Sequence, residues 1–175
     1  WQDTSVERTP PPATKQEVIG ELEALLKDAV SKRMISDVPV GVMLSGGIDS
    51  SLITALMQSQ STQRVKSYSI GFHEKQYDES RYASSVAKHL GTEHESLILS
   101  QDETLKIVPK LTKIYDEPFA DSSQIPTFLV SKLAKTKVTV SLSGDGGDEL
   151  FGGYNRYFMA PNLWRKIGLL PFPLR

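Results

Sequence analysis

Apolar residues recur along this chain in two patterns, short β-branched runs and longer stretches with helical spacing. The short runs predict four strands, at residues 38–44, 65–72, 94–99 and 138–142. Apolar residues three or four positions apart predict helices between the strands, at residues 52–58, 79–90, 102–115 and 126–134. Pro109 is expected to kink or break the third helix, because proline removes a backbone donor and clashes with the preceding turn.

Another helix is predicted before the first strand. Thr14 and Glu17 form a capping-box pattern, and an amphipathic stretch follows them. Its apolar residues keep helical spacing: Val18, Leu22, Leu25, Leu26, Ala29 and Val30. We expect this helix to pack beside the sheet.

The alternation of strands with helices predicts an α/β fold, a parallel sheet covered by helices on both faces. In such sheets, ligands bind outside the carboxyl ends of the strands, near a reversal in strand order. Two glycine-rich runs, residues 45–51 and 143–149, follow the first and fourth predicted strands. Both runs are therefore expected at one binding site.

The first glycine-rich run is typical of a phosphate-binding loop. Gly46 and Gly47 allow the backbone to bend sharply and to approach a ligand without a Cβ atom in the way. The N–H groups at the start of the following helix attract an anion. The hydroxyls of Ser45, Ser50 and Ser51 add hydrogen-bond donors around it. The run therefore predicts a phosphate cradle.

Asp49 distinguishes this run from the commoner phosphate loop, which has four residues between its glycines and ends in Lys-Ser or Lys-Thr. A carboxylate beside phosphates is favourable when a divalent cation lies between them. Mg²⁺ is usually held by one or two carboxylates together with phosphate oxygens. The plainer alternative is a strand-to-helix turn in which Asp49 only adds negative charge at a helix start.

The second glycine-rich run carries three carboxylates, those of Asp145, Asp148 and Glu149. Acidic groups this close together repel one another unless a cation joins them. A helix-loop-helix calcium site is disfavoured, because its longer ligand register with a late Glu is absent. A solvated acidic turn stays open as the plainer interpretation. The position directly after a buried strand favours a role with Mg²⁺ and a nucleotide.

The composition of the 175-residue chain excludes several classes of protein. A hydrophobic fraction of 39% and a charged fraction of 23% are typical of globular domains. The net charge of −1 gives no electrostatic footprint for nucleic acid or a membrane surface, and no apolar run is long enough to span a bilayer. The absence of cysteine rules out disulfides and thiolate chemistry. We expect a cytoplasmic protein, and its oligomeric state stays open, a homodimer included.

Residues 150–154, Leu-Phe-Gly-Gly-Tyr, come directly after the second run. Together with residues 45–51, they resemble the synthetase domain of the glutamine-hydrolysing asparagine synthetase family, which belongs to the PP-loop ATP pyrophosphatases. Further segments are similar to that family, at residues 68–72, 89–94 and 115–121. The resemblance extends from about residue 15 to residue 160.

Membership of that family implies an adenine nucleotide alpha hydrolase-like fold, with ATP and Mg²⁺ as cofactors. It also implies that ATP adenylates the side-chain carboxylate of aspartate, releasing pyrophosphate, before ammonia derived from glutamine attacks. The family's glutaminase domain, which begins with a Cys nucleophile, has no counterpart in these residues, and a downstream Lys of the family lies beyond residue 175. We therefore expect the ATP-binding portion of a synthetase.

The resemblance also implies roles for individual residues. Pyrophosphate-loop positions are Ser45, Gly46, Gly47, Asp49, Ser50 and Ser51. Positions that enclose adenine and ribose, or make further nucleotide contacts, are Met43, Leu44, Ile70, Gly71, Ser143 and Gly144. The carboxylates linked to Mg²⁺ are Asp49 and Asp148. Asp145 is the candidate catalytic residue, and it stands where some members carry Glu to handle the substrate amine or the intermediate.

The chain is expected to divide into three parts. Residues 1–13 are polar with three consecutive prolines, which predicts a stiff linker. Residues 14–160 are expected to form the PP-loop ATP-binding synthetase domain. We interpret the proline-interrupted residues 161–175 as the truncated start of a further C-terminal part.

The acceptor substrate is left open by the nucleotide motifs. Related synthetase domains build β-lactams or amides on cell-surface sugars, and a non-catalytic nucleotide-binding module is the alternative from a different class. Residues 143–154 argue against PP-loop enzymes that make NAD, GMP or argininosuccinate. Glu117 and Asp121 either hold a substrate amine or order the loop in which they lie.

Overall fold

The computed structural model describes residues 14–74, 78–117 and 121–168. Its elements in chain order are Lys15–Met34 (α1), Val40–Met43 (β1), Ile48–Gln60 (α2), Lys66–Phe72 (β2), Ser80–Leu90 (α3), Glu93–Leu99 (β3), Gln101–Leu105 (α4), Leu111–Ile114 (α5), Gln124–Ala134 (α6), Val140–Leu142 (β4), Gly147–Phe151 (α7) and Asn155–Ile167 (α8). A 3-10 turn, Val108–Lys110, separates α4 from α5. The linker predicted at residues 1–13 lies outside the described residues, as do residues 169–175.

The four strands form one parallel sheet in the order β3-β2-β1-β4. Gly41 of β1 lies opposite Lys66 of β2 on one side and opposite Ser141 of β4 on the other. The chain therefore adds β2 and β3 on one side of β1 and then returns to its other side for β4. The strand order reverses between β1 and β4, and a crevice forms there because the two connections leave in opposite directions.

Helices cover both faces of the sheet, which confirms the predicted α/β fold. On one face, Val42 of β1 packs with Val30 of α1 and Met57 of α2. On the other face, Tyr68 of β2 packs with Ala134 of α6. Among the helices in the described ranges, none combines the length and apolar character needed to cross a bilayer.

Local sequence signals account for several helix ends. The hydroxyl of Thr14 accepts from the N–H of Glu17, whose carboxylate accepts from the N–H of Thr14, forming the predicted capping box. Gly91 ends α3 in the left-handed conformation, with φ of 74°. The predicted break at Pro109 is confirmed, because the 3-10 turn that contains it divides this stretch into α4 and α5.

The first helix packs less completely than its apolar spacing predicted. Val18, Leu22 and Leu25 are exposed, and α1 reaches the core through its C-terminal half, where Val30 is buried. Apolar spacing indicates which side of a helix faces a neighbour, but not how far along the helix that neighbour extends.

A ladder of polar side chains joins β2 to β3. Oγ of Ser67 lies 2.9 Å from Nδ1 of His94, and Oγ of Ser69 lies 3.2 Å from Nε2. Because the Ser69 hydroxyl donates to Oγ of Ser96, Nε2 of His94 is the donor to Ser69, and Nδ1 accepts from Ser67 in the neutral ring. Burial lowers the pKa of His94, against a smaller opposing effect of a hydrogen bond with the backbone of Ser67. The fold therefore favours the neutral imidazole.

Candidate nucleotide-binding site

A cleft of about 1560 Å³ opens at the carboxyl ends of β1, β2 and β4. It is lined by the two glycine-rich runs, the end of β2 and the start of α6. The cleft lies where the strand order reverses, as expected for the ligand site of such a sheet. Its volume exceeds the roughly 1,000 Å³ of a large single-ligand pocket, which leaves room for two reactants.

The helix that follows β1 begins inside the first glycine-rich run. Gly47 is the N-cap of α2 in an extended conformation, with ψ of 167°, and Ile48 is the first helical residue. Asp49 therefore stands in the first turn of α2, where the helix dipole favours negative charge. The sequence analysis placed this helix at residues 52–58, whereas α2 already includes residues 48–51, three of which line the cleft.

Ser45 and Ser50 brace the first glycine-rich run from within. Oγ of Ser50 accepts from the N–H of Ser45 at 3.2 Å, and the two hydroxyl oxygens lie 2.9 Å apart. Oγ of Ser45 also accepts from the N–H of Gly47 at 3.2 Å. Both serines line the cleft, and their hydroxyls also stabilise the conformation of the loop.

Gly46, Gly71 and Ser51, which the resemblance placed around the nucleotide, are not among the residues that line the cleft. A Cβ on Gly46 would lie 2.6 Å from the N of Ala83, so this glycine lets the loop pack on α3. A Cβ on Gly71 would lie 2.7 Å from the Cβ of Ser80, at the start of α3. Ser51 faces a groove between α2 and α3, and its buried Oγ has no hydrogen-bond partner in the described part of the chain.

The second glycine-rich run packs directly on the first. A Cβ on Gly144 would lie 2.6 Å from the N of Ser50. A Cβ on Gly147 would lie 2.5 Å from Cγ of Asp49. These two contacts require glycine, and they place the carboxylate of Asp49 against the residue that precedes Asp148.

Six carboxylates line the cleft, those of Asp49, Glu74, Glu79, Asp145, Asp148 and Glu149. No Lys or Arg accompanies them among the described lining residues. A polyphosphate placed beside these carboxylates would be repelled unless a cation neutralised the charge between them. The cleft therefore suits a nucleotide that arrives with a divalent metal ion.

The four carboxylates of the two runs fall into two groups. Oδ2 of Asp145 accepts from the hydroxyl of Ser143 at 3.0 Å, and Oε1 of Glu149 accepts from the Tyr154 hydroxyl at 2.6 Å. That hydrogen bond from Tyr154 lowers the pKa of Glu149. Asp49 and Asp148 take part in no side-chain hydrogen bond or ion pair with the described residues.

The donor set fits Mg²⁺. Two carboxylates without protein partners, together with phosphate oxygens, are the ligands this ion usually takes. The residues that the structure describes contain no cluster of three metal-binding side chains, so these residues alone do not form a closed metal cage. Asp49 and Asp148 are the side chains that would hold the ion.

An apolar wall faces the glycine-rich runs. The predicted residues Met43, Leu44 and Ile70 line it, and the N–H of Leu44 donates to the carbonyl of Tyr68 at 2.8 Å. The sequence analysis missed other lining residues, namely Phe72, Pro126, Thr127, Val130, Phe151 and Tyr154. Phe72 lies on the same face of β2 as Ile70, and Pro126, Thr127 and Val130 share one face of α6. The spacing of these residues along the chain could therefore have predicted them.

Asp121 orders the loop before α6. Its Oδ1 accepts from the N–H of Ser123 at 2.8 Å, and this hydrogen bond lowers the pKa of Asp121. Of the two roles considered for this residue, the geometry supports the ordering one. Glu117 is exposed and is not among the residues that line the cleft.

The sheet order and the two glycine-rich runs define an adenine nucleotide alpha hydrolase-like fold of the PP-loop class. A glutamine-dependent NAD⁺ synthetase from Acinetobacter baumannii, solved with ADP, superposes with a TM-score of 0.52 at 24% identity, over 85% of this chain and 29% of that one. An NMN synthetase from Francisella tularensis superposes with a TM-score of 0.51 at 15% identity, over 82% of this chain and 60% of that one. These similarities establish the fold.

The family is established by sequence. The profile of the Asparagine synthase family matches residues 21–175, and the chain belongs to that family. Asparagine synthetase [glutamine-hydrolyzing] 1 from Bacillus subtilis is 42% identical over 143 residues, which are 82% of this chain and 22% of that protein. The chain spans about a quarter of the length of the curated relatives it matches.

Proposed function

We propose that this chain is the ATP-binding portion of an asparagine synthetase-type ligase, and that it binds ATP together with Mg²⁺. The observation that carries the proposal is the contact of Gly147 with the carboxylate of Asp49. It brings the two glycine-rich runs together at the strand-order reversal, where the carboxylates of Asp49 and Asp148 have no partner among the described residues. Residues 14–160 are proposed to form this synthetase domain, although α8 continues through residue 160.

The proposed nucleotide pose follows the chemistry of the walls. Adenine and ribose lie against the apolar residues Met43, Leu44 and Ile70, and the pyrophosphate lies along the brace formed by Ser45 and Ser50. The backbone at Ser143 and Gly144 adds further nucleotide contacts. Mg²⁺ held by Asp49 and Asp148 would neutralise phosphate charge next to the carboxylates.

The proposed reaction has two steps. A side-chain carboxylate oxygen of aspartate attacks the α-phosphorus of ATP, forming an acyl-adenylate and releasing pyrophosphate. Ammonia derived from glutamine then attacks the acyl carbon, which releases AMP and forms the amide. The proposed acceptor of the proton from the attacking ammonia is Asp145, which lines the cleft and accepts a hydrogen bond from Ser143.

Calorimetric titration with ATP tests the nucleotide site. The chain is titrated with and without Mg²⁺, beside the variants Asp49→Ala and Asp148→Ala. We expect binding that depends on Mg²⁺ and that weakens at least about tenfold in both variants, since each removes a charged ligand of the metal. Glu117→Ala is the matched control, because it removes an exposed carboxylate outside the cleft.

Two results would contradict the proposal. ATP binding that is unchanged by EDTA would indicate a nucleotide module that does not use the metal. No ATP binding by a folded chain would show that these residues do not form a nucleotide site by themselves.

A further inference from the structure

A turn made of two glycines follows α7 and closes around Asp148. Gly152 has φ of 70°, and its N–H donates to the carbonyl of Asp148. The N–H of Gly153 donates to the same carbonyl at 3.0 Å. A Cβ on Gly153 would overlap the carboxylate of Asp148, so the turn forms one side of the space in which that carboxylate lies.

Tyr154, the next residue, ties this turn back to the start of α7. Its hydroxyl donates to Oε1 of Glu149 at 2.6 Å, across five positions of the chain. The guanidinium of Arg156 lies 4.0 Å from the centre of the Tyr154 ring, and the ring centre of Tyr157 lies 5.7 Å from it. Tyr154 is thus held by contacts at both its ring and its hydroxyl.

The hydrogen bond from Tyr154 makes the two adjacent carboxylates, Asp148 and Glu149, different from each other. Glu149 is occupied by Tyr154, whereas Asp148 has no side-chain partner in the described residues. Without the hydroxyl, Glu149 would be a second free anion beside Asp148, and only backbone hydrogen bonds would join the glycine turn to α7. With Asp145 bonded to Ser143 and Glu149 bonded to Tyr154, Asp148 is the carboxylate of the second run without a side-chain partner in the described residues.

We propose that Tyr154 is a positioning residue: by bonding Glu149 across the glycine turn, it holds Asp148 in place for the metal ion of the bound nucleotide. The inference rests on the proposed function of the cleft. Tyr154 itself does not touch the metal. Its effect on the metal site passes through the backbone of residues 148–153 to Asp148.

The variant Tyr154→Phe tests the inference, because it removes the hydroxyl and keeps the ring under Arg156. ATP binding is measured by calorimetry over a series of Mg²⁺ concentrations in the 175-residue chain. We expect the Mg²⁺ concentration for half-maximal binding to rise about tenfold, the size of one lost hydrogen bond to a charged group. Tyr157→Phe is the matched control and leaves it unchanged.

The conservative variant Glu149→Gln distinguishes positioning from general damage to the fold. Its amide oxygen still accepts from the Tyr154 hydroxyl, so we expect a Mg²⁺ requirement closer to that of the unaltered chain than to that of Tyr154→Phe. Glu149→Ala, which offers no acceptor, is expected to behave like Tyr154→Phe. Equal Mg²⁺ requirements in the unaltered chain and Tyr154→Phe would overturn the inference.

Amide hydrogen exchange gives a second readout that needs no nucleotide. The N–H groups of Gly152 and Gly153 donate to Asp148, and we expect both to exchange faster in Tyr154→Phe, with the amides of β2 unaffected. Unchanged exchange at the two glycines would also overturn the inference. If the unaltered chain bound no ATP, the proposed function would fail, and the exchange rates alone would decide the role of Tyr154.

Discussion

The backbone of Gly147 lies against the carboxylate of Asp49, so that a Cβ on Gly147 would sit 2.5 Å from Cγ and 2.7 Å from Oδ2 of that aspartate. The two residues belong to different glycine-rich runs, which follow β1 and β4. Those strands are neighbours in the sheet. The contact therefore joins the two glycine-rich runs that line the cleft, at the residue directly before Asp148.

Replacing Gly147 by Ala is expected to disturb the cleft more than the fold. The added methyl group pushes the Asp49 carboxylate away, so we expect Mg²⁺-dependent ATP affinity to fall about tenfold or more. Overpacking is expected to lower the free energy of unfolding by about 1–3 kcal/mol. Calorimetry and urea unfolding measure the two effects.

Gly20→Ala is the control for Gly147→Ala. A Cβ on Gly20 would meet nothing within 4 Å, and the residue lies inside α1. This change is expected to stabilise the chain by about 1 kcal/mol through helix propensity and to leave ATP affinity unaltered. Equal ATP affinity in the two variants would contradict the importance of the Gly147 contact.

Gly46→Ala is expected to be more destabilising than Gly91→Ala. Both glycines have positive φ, 89° and 74°, so alanine is strained at either position. Gly91 has open space around its Cβ position, whereas a Cβ on Gly46 would collide with the backbone of Ala83. We expect losses of about 1 kcal/mol at Gly91 and about 3 kcal/mol at Gly46 in urea unfolding. Equal losses would show that α3 yields to the added methyl group.

Tyr68→Phe and Tyr115→Phe are expected to change the free energy of unfolding differently, in sign or in size. The Tyr68 hydroxyl is buried and has no hydrogen-bond partner in the described part of the chain, so its removal should leave stability unchanged or raise it slightly. The Tyr115 hydroxyl donates to the carbonyl of Gln124 at 2.9 Å, and its removal should lower stability by about 1 kcal/mol. A larger loss at Tyr68 in urea unfolding would refute this ordering.

His94 is expected to make stability depend on pH. Burial lowers its pKa below the ordinary value of 6.5, so the unfolded chain binds a proton at a higher pH than the folded chain. The stability from the neutral ring is therefore fully present above about pH 6.5 and is lost as the pH falls through the lowered folded-state pKa. Urea unfolding between about pH 5 and pH 8 measures this slope.

His94→Gln should reduce the slope at the acidic end of that range. His89→Gln is the control, because His89 is an exposed side chain on α3. The prediction would fail if the two variants had the same pH profile.

Much of the fold could be predicted from local pattern. The four strands, the capping box at Thr14, the stop at Gly91 and the break at Pro109 each depend on residues close in sequence, and each appears in the structure. The exposure of Leu25 was not predicted, because burial along α1 depends on where α2 and the sheet end.

The sequence by itself determined which elements form and that two glycine-rich runs follow strands, since periodicity and glycine content act over a few residues. Only the tertiary structure decided that β4 lies beside β1, because strand order depends on how distant helices pack on the sheet. It also decided that Ser50 faces the cleft while Ser51 faces α3, since each helical residue turns the side chain by about 100°. The contact between Gly147 and Asp49 arises in the same way, from the packing of segments that are distant in sequence.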